Sequence, residues 1–90
     1  MNHQEKESKA ISLGATEFGN SKRANKRYYV IYNDKIINFG DPNANTYSDG
    51  ADEKKRNAFR ARHSKIKLKD GSYAYKNKSS PSYWAYNILW

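Results

Sequence analysis

The chain has 90 residues, with 17 Lys and Arg against nine Asp and Glu, so its formal net charge is +8. This length fits one small domain, and a chain without Cys can form neither disulfides nor thiolate metal sites. Mean hydropathy is low at −1.14 and no apolar run is long enough to cross a membrane, yet 14% of the residues are aromatic, which predicts a folded part.

Residues 1–24 show neither helical nor strand periodicity. They combine Ser, Asn, Gly and mixed charges, with one short apolar group, Ala10 to Leu13, and a single aromatic residue, Phe18. This composition predicts a flexible polar N-terminal arm. Residues 25–90 are then expected to form a single small domain.

Residues 28–39 predict a β-hairpin. The segment is rich in β-branched and aromatic residues, and Asn33 and Asp34 at its centre both tolerate positive φ. A two-residue turn there pairs Val30 with Ile37 in the two strands. Because both faces of this hairpin are substantially apolar, each face is expected to be packed against something.

A loop over residues 40–50 leads to a predicted helix that begins near Ala51. Ser48 or Asp49 is expected to cap this helix, with Asp52 and Glu53 in its first turn, where the helix dipole favours acidic side chains. An apolar stripe is predicted along it, formed by Phe59, His63 and Ile66.

A second hairpin is expected over residues 66–76. Asp70 and Gly71 are a strong two-residue turn signal. The register pairs Leu68 with Tyr73, and Ile66 with Tyr75.

The last segment predicts a short aromatic helix, with Ser residues as cap and Pro81 in the first position. The helix is apolar nearly all round, so it must be buried in the domain core or against another subunit. Tyr83, Trp84 and Trp90 are the candidate residues of a partner interface. The expected fold class is therefore α+β, with small β-hairpins packed against a basic helix and a short aromatic C-terminal helix.

The positive charge is concentrated in residues 54–69, which hold eight basic residues and no acidic one. Such a block attracts nucleic acid or an acidic protein surface, whereas a solvated helix face is the alternative explanation. The candidate binding residues are Lys54, Lys55, Arg56, Arg60, Arg62, Lys65, Lys67 and Lys69. A smaller cluster lies at residues 22–27, where two Lys-Arg pairs resemble a nuclear-localisation signal.

Catalytic and metal chemistry have little support in the sequence. His3 and His63 are the only histidines, and Ser64 beside His63 cannot form a catalytic constellation by adjacency alone. Helix capping accounts for Asp49 and Asp52 more simply than a paired-carboxylate site does. We therefore expect no enzyme activity, no metal, no cofactor and no small-molecule substrate.

The order of these motifs resembles a family of short uncharacterised proteins that recurs in giant nucleocytoplasmic DNA viruses and large tailed phages. The resemblance covers residues 27–90 and departs from the family pattern in residues 69–76, before the final segment. It rests on Ile37-Asn38-Phe39-Gly40, Tyr47-x-Asp49, Asp52-Glu53, Lys55-Arg56, Arg60-Ala61-Arg62-His63-x-Lys65, Tyr83-Trp84 and Leu89-Trp90.

This resemblance implies a viral origin and a virion or late-gene context, and it supplies no catalytic residue. The resulting hypothesis is a non-enzymatic structural component of the virion, a minor capsid or internal protein, that contacts viral capsid proteins and possibly DNA. The alternative is a nucleic-acid-binding accessory protein that acts without sequence specificity through residues 54–69. The expected location is the virion, and the cytoplasm or nucleus of the infected cell.

Overall fold

A three-stranded antiparallel sheet with the order β1-β2-β3 forms the centre of the computed structural model, which describes residues 2–43 and 46–90. Helix α1 precedes the sheet, and helices α2 and α3 follow it. The elements are α1 (His3–Ser12), β1 (Glu17–Asn20), β2 (Tyr28–Tyr32), β3 (Lys35–Phe39), α2 (Glu53–His63) and α3 (Pro81–Trp84). Two short 3₁₀ turns lie at Tyr47–Asp49 and Ala74–Lys76, and α3 continues as a π-helical segment, Ala85–Leu89. The predicted α+β class is confirmed.

The first hairpin has the predicted turn and register. Asn33 and Asp34 adopt φ values of 53° and 62°, which joins β2 to β3 by a two-residue turn. Val30 lies opposite Ile37, as the alternation of side chains required. A local signal was sufficient here because turn chemistry and strand pattern specify the same register.

Within residues 2–43 and 46–90, only one face of the sheet is covered. Its inner residues pack against α1 and the C-terminal helical segment, and the resulting core contains Ala10, Ala15, Phe18, Tyr28, Val30, Ile37, Phe39, Trp84, Ile88 and Leu89. On the outer face, Ile36 is 68% exposed and Tyr29 and Ile31 are half-buried. No element of the described residues packs against this outer face, so the expected packing of both faces is found within the chain for the inner face alone.

The N-terminal residues predicted as a flexible arm instead form a helix and a strand. The side chain of Asn2 caps α1 by accepting a hydrogen bond from the Glu5 amide at 2.8 Å. Phe18 in β1 lies opposite Val30 of β2 and is 5% exposed. The expectation is wrong for residues 3–20, because β1 completes the sheet and α1 covers the inner face beside it.

A partly buried charge cluster ties α1 to the loop before α2. Lys6 is 3% exposed, and its Nζ donates to Asp49 Oδ1 at 3.1 Å and to the Tyr28 hydroxyl at 3.0 Å. The Arg27 guanidinium binds both oxygens of the same carboxylate. This hydrogen bond from Arg27, with help from Thr46 and Lys6, holds the pKa of Asp49 well below its usual range.

We expect Asp49→Asn to reduce the free energy of unfolding by about 2–3 kcal/mol at neutral pH, because it leaves the buried Lys6 ammonium without its counter-charge. The Asp49 side chain keeps 21% exposure, so the loss falls below that of a fully buried pair. Since the pKa of Asp49 is lowered in the folded state, the stabilisation is complete above about pH 4 and declines as the pH falls below it.

Urea unfolding at neutral and acidic pH measures both effects. The Asp49→Asn variant should have a lower free energy of unfolding at neutral pH than the parent. Its free energy of unfolding should also change less between neutral and acidic pH. Lys6→Met in the Asp49→Asn background should recover part of the loss, because the orphaned ammonium is removed. Glu7→Gln on the exposed side of α1 is the matched control. Equal stability of Asp49→Asn and this control would contradict the assignment.

The second predicted hairpin is absent from the described residues. Lys67 pairs with Tyr73 in an isolated bridge, one position away from the predicted register, and residues 74–76 form a 3₁₀ turn. Gly71 does adopt a positive φ of 86°, so the turn itself is present. The flanking residues do not extend into strands, and Ile66 and Tyr73 remain 43% and 40% exposed.

The C-terminal helix begins as predicted and is buried in the domain's own core. The Ser80 side chain accepts a hydrogen bond from the Ser82 amide at 3.2 Å, and Pro81 occupies the first turn. Trp84 is 0% exposed, and its indole Nε1 donates to the Lys78 carbonyl at 2.7 Å. Among the described residues, no helix is both long and apolar enough to cross a bilayer.

Candidate functional site

Helix α2 carries most of the predicted basic block. It begins at Glu53, two residues later than predicted, because Asp52 is its N-cap and accepts a hydrogen bond from the Lys55 amide at 2.9 Å. Asp49 lies in the preceding 3₁₀ turn, and the side chain of Ser48, the other predicted cap, lies outside the described residues. Lys55 and Arg62, seven positions apart, lie on one stripe of the helix.

Two arginines of the block serve the fold rather than an open surface. Arg56 Nε donates to the Trp90 main-chain oxygen at 2.9 Å, and Arg60 donates to the same oxygen from Nε at 3.1 Å and from Nη2 at 3.0 Å. Their guanidinium groups also lie 4.5 Å from the ring centroid of Tyr47 and 4.7 Å from that of Tyr86, respectively. Arg56 and Arg60, two of the eight predicted binding residues, are therefore engaged within the fold.

The remaining six cations form what we call the cationic surface. They are Lys54, Lys55, Arg62, Lys65, Lys67 and Lys69, and all six are exposed. Both ion pairs found within residues 2–43 and 46–90 involve Asp49, so none of the six is neutralised by a carboxylate there. This surface spans the outer side of α2 and the loop after it, where the sequence predicted a strand.

Lys9 is a nearby cation that the sequence did not suggest. Burial first, and then Arg60 and Arg56, lower the pKa of Lys9. The residue lies on α1, in the segment predicted as an arm, so no local signal placed it beside α2. Positive charge at this end of the molecule therefore extends beyond the block that the sequence identifies.

Three rings stack at the inner side of α2. Phe59 lies between His63, with a centroid distance of 3.8 Å, and Trp90, with a centroid distance of 4.6 Å. They border a cavity of about 400 Å³ that Arg62 and Lys26 also line. Ile66, the third member of the predicted stripe, is 43% exposed and lies beyond the helix.

His63 has an unpartnered nitrogen in this stack. Its Nδ1 is buried and has no hydrogen-bond partner among the described residues. Burial first, and Arg62 second, lower the pKa of His63, which favours the neutral imidazole at neutral pH. Packing against Phe59 gives this residue a structural role. Within the described ranges, no group of three His, Cys, Asp or Glu side chains is placed to hold a metal ion.

The three predicted interface residues occupy different environments. Trp84 is 0% exposed and belongs to the core, so it offers no surface to a partner. Tyr83 and Trp90 are half-buried and pack against that core. The alternative in which the C-terminal segment is buried within its own domain is therefore the one observed for Trp84.

Comparison with known proteins places these elements in a viral context. The sequence profile of a family of unknown function, DUF5754, matches residues 16–63, which include all three strands and α2. Uncharacterized protein L851 of Acanthamoeba polyphaga mimivirus is 40% identical over 75 residues, covering 78% of this chain and 75% of that protein. No solved structure matches the chain.

Proposed function

This chain belongs to the DUF5754 family of unknown function, an uncharacterised viral family, and from that premise we propose that it is a non-enzymatic component of the virion that contacts the packaged genome. The observation that carries the proposal is the cationic surface, with six exposed basic side chains and no acidic partner among the described residues. The capsid proteins around the genome would be its neighbours.

Phosphate contacts explain how such a surface would work. Flexible Lys and Arg side chains on the outer side of a helix can reach successive phosphates of a duplex, and each contact releases condensed counterions. Six contacts predict a slope of about −5 for log K against log salt concentration. Phosphate contacts position a protein but carry no base information, so the binding would be independent of sequence.

We expect the quadruple substitution Lys54→Gln, Lys55→Gln, Arg62→Gln and Lys65→Gln to weaken DNA binding strongly. Fluorescence polarisation of a labelled duplex across a salt series measures the effect. Removing four contacts should change the slope from about −5 to about −2 and lower the affinity at ~50 mM salt by at least roughly tenfold.

A control with the same loss of net charge isolates the cationic surface. Lys22→Gln, Arg23→Gln, Lys35→Gln and Lys76→Gln also remove four exposed cations but leave that surface intact. This control variant should keep most of the slope of log K against log salt concentration for DNA binding. Equal losses of DNA affinity in the two quadruple variants would show that binding depends on overall charge and not on the cationic surface. Weak DNA binding by the parent protein at low salt would refute the proposal.

A second candidate function uses the same surface outside the particle. In that case the protein is an accessory factor that binds nucleic acid in the cytoplasm or nucleus of the infected cell. Mass spectrometry of purified virions separates the two proposals. Presence in stoichiometric amounts supports the virion component, whereas absence from the particle together with salt-dependent DNA binding favours the accessory factor.

A further inference from the structure

The outer face of the sheet is an apolar surface that nothing covers among the described residues. Ile31 of β2 lies directly opposite Ile36 of β3, and Tyr29 lies two residues before Ile31 on the same face. Ile36 is 68% exposed, and these three side chains line a groove of about 440 Å³. We call this group of three residues the outer sheet face. Burying such aliphatic side chains against a partner is favourable.

Tyr29 is positioned on this face by two contacts with β1. A Cβ atom at Gly19, the residue opposite it in β1, would lie 2.8 Å from Tyr29 Cε1, so the ring lies directly against the glycine. Its hydroxyl donates to the Glu17 carboxylate. The ring is thus positioned before any partner arrives, which lowers the entropic cost of binding.

Two cations and one carboxylate border the groove. The carboxylate, Glu17, is the acceptor of the Tyr29 hydroxyl. Lys22 and Arg23 belong to the smaller basic cluster of the sequence, and both line the groove and are exposed. The turn that carries them is held in place, since the Ser21 hydroxyl donates to Asn38 at 2.6 Å and accepts from the Arg23 amide at 3.1 Å. Neither cation joins the ion pairs around Asp49 found in the described residues.

The charge and shape of this face discriminate between possible occupants. A second copy of the chain carries the same net charge of +8, so electrostatic repulsion would oppose pairing. Single-stranded nucleic acid binds through successive stacked rings, whereas Tyr29 is the one ring here and two isoleucines fill the rest. An acidic protein segment satisfies both the apolar centre and the cationic border.

We propose that the outer sheet face is a docking surface for an acidic segment of a partner protein. Aliphatic side chains of that segment would cover Ile31 and Ile36, and its Asp or Glu residues would face Lys22 and Arg23. The inference goes beyond genome contact, because the outer sheet face and the cationic surface of α2 share no residue.

Selection from a phage-displayed library of random linear peptides on the full chain tests this surface. The enriched peptides should combine acidic and aliphatic residues. Ile36→Glu should weaken their binding by roughly tenfold or more, and Lys22→Glu with Arg23→Glu should do the same. Because these three side chains are exposed, urea unfolding of the variants should match that of the parent.

Lys55→Glu with Arg62→Glu is the matched control, since it reverses two charges on the cationic surface. Peptide binding should survive this change although DNA binding is lost, so the two proposals can fail separately. Enriched peptides without acidic residues, peptides insensitive to Ile36→Glu, or no enrichment at all would overturn the proposal. Dimerisation in sedimentation experiments, or oligo-dT binding that Tyr29→Ala abolishes, would instead assign the face to a second copy or to nucleic acid.

Discussion

A chain that begins at Asn25 is expected to lose cooperative unfolding. The truncation removes β1 and leaves a two-stranded hairpin, which is marginally stable in water at best. It also removes Phe18, whose ring centroid lies 5.3 Å from that of Tyr28 and 6.4 Å from that of Phe39, and the Lys6 partner of Asp49. The remaining sheet would expose the part of its inner face that α1 and β1 cover.

Urea titration followed by circular dichroism measures this loss. Phe18→Ala in the full chain gives a graded version of the same experiment, with an expected cost of about 3–4 kcal/mol. Supplying residues 1–24 as a separate peptide should restore part of the signal if the truncated chain retains a binding surface for them. A truncated chain that unfolds cooperatively at the parent's midpoint would show that residues 2–24 contribute nothing to stability.

Trp84→Ala is expected to destabilise the domain strongly. Trp84 is 0% exposed. Its ring centroid lies 5.8 Å from that of Tyr32 and 5.1 Å from that of Tyr83. Its Nε1 donates a hydrogen bond to the Lys78 carbonyl. Removal of the indole leaves a cavity and an unpaired carbonyl, which together cost about 3–5 kcal/mol. For a domain of this size, the melting temperature should fall by about 12 °C or more.

Two further variants keep this prediction testable if Trp84→Ala does not fold. Trp84→Phe retains an aromatic ring and should lose less stability than Trp84→Ala. Tyr73→Ala removes a ring that is 40% exposed and should change the free energy of unfolding by about 1 kcal/mol or less. Equal melting temperatures for Trp84→Phe and the parent would show that the indole is not packed as described.

The cationic surface illustrates how far the sequence reaches toward a site. The concentration of basic residues in 54–69 is visible without a structure, and six of the eight are exposed. Arg56 and Arg60 could not be separated from the others, because their partner, the Trp90 main-chain oxygen, lies 30 or more positions away. The outer sheet face could not be predicted from the sequence either, because both faces of the hairpin carry apolar residues and the pattern does not indicate which face a distant helix covers.

The sequence by itself determined the local interactions of this protein. The Asn33-Asp34 turn, the register of β2 with β3 and the start of α3 at Pro81 each depend on residues a few positions apart. In these segments, backbone preference, turn chemistry and side-chain alternation agree. Local sequence is then sufficient, because no distant contact is needed to choose among alternatives.

Only the tertiary structure decided the role of the N-terminal residues. Helix α1 is mostly polar and buries a lysine, and that burial is unfavourable until Asp49, 43 positions away, supplies the opposite charge. β1 has four residues and contains a glycine, and it becomes a strand beside β2. In the second expected hairpin, a strong turn was not sufficient, since no neighbouring strand extends the ladder. The presence or absence of long-range burial and pairing decides the structure in all three places.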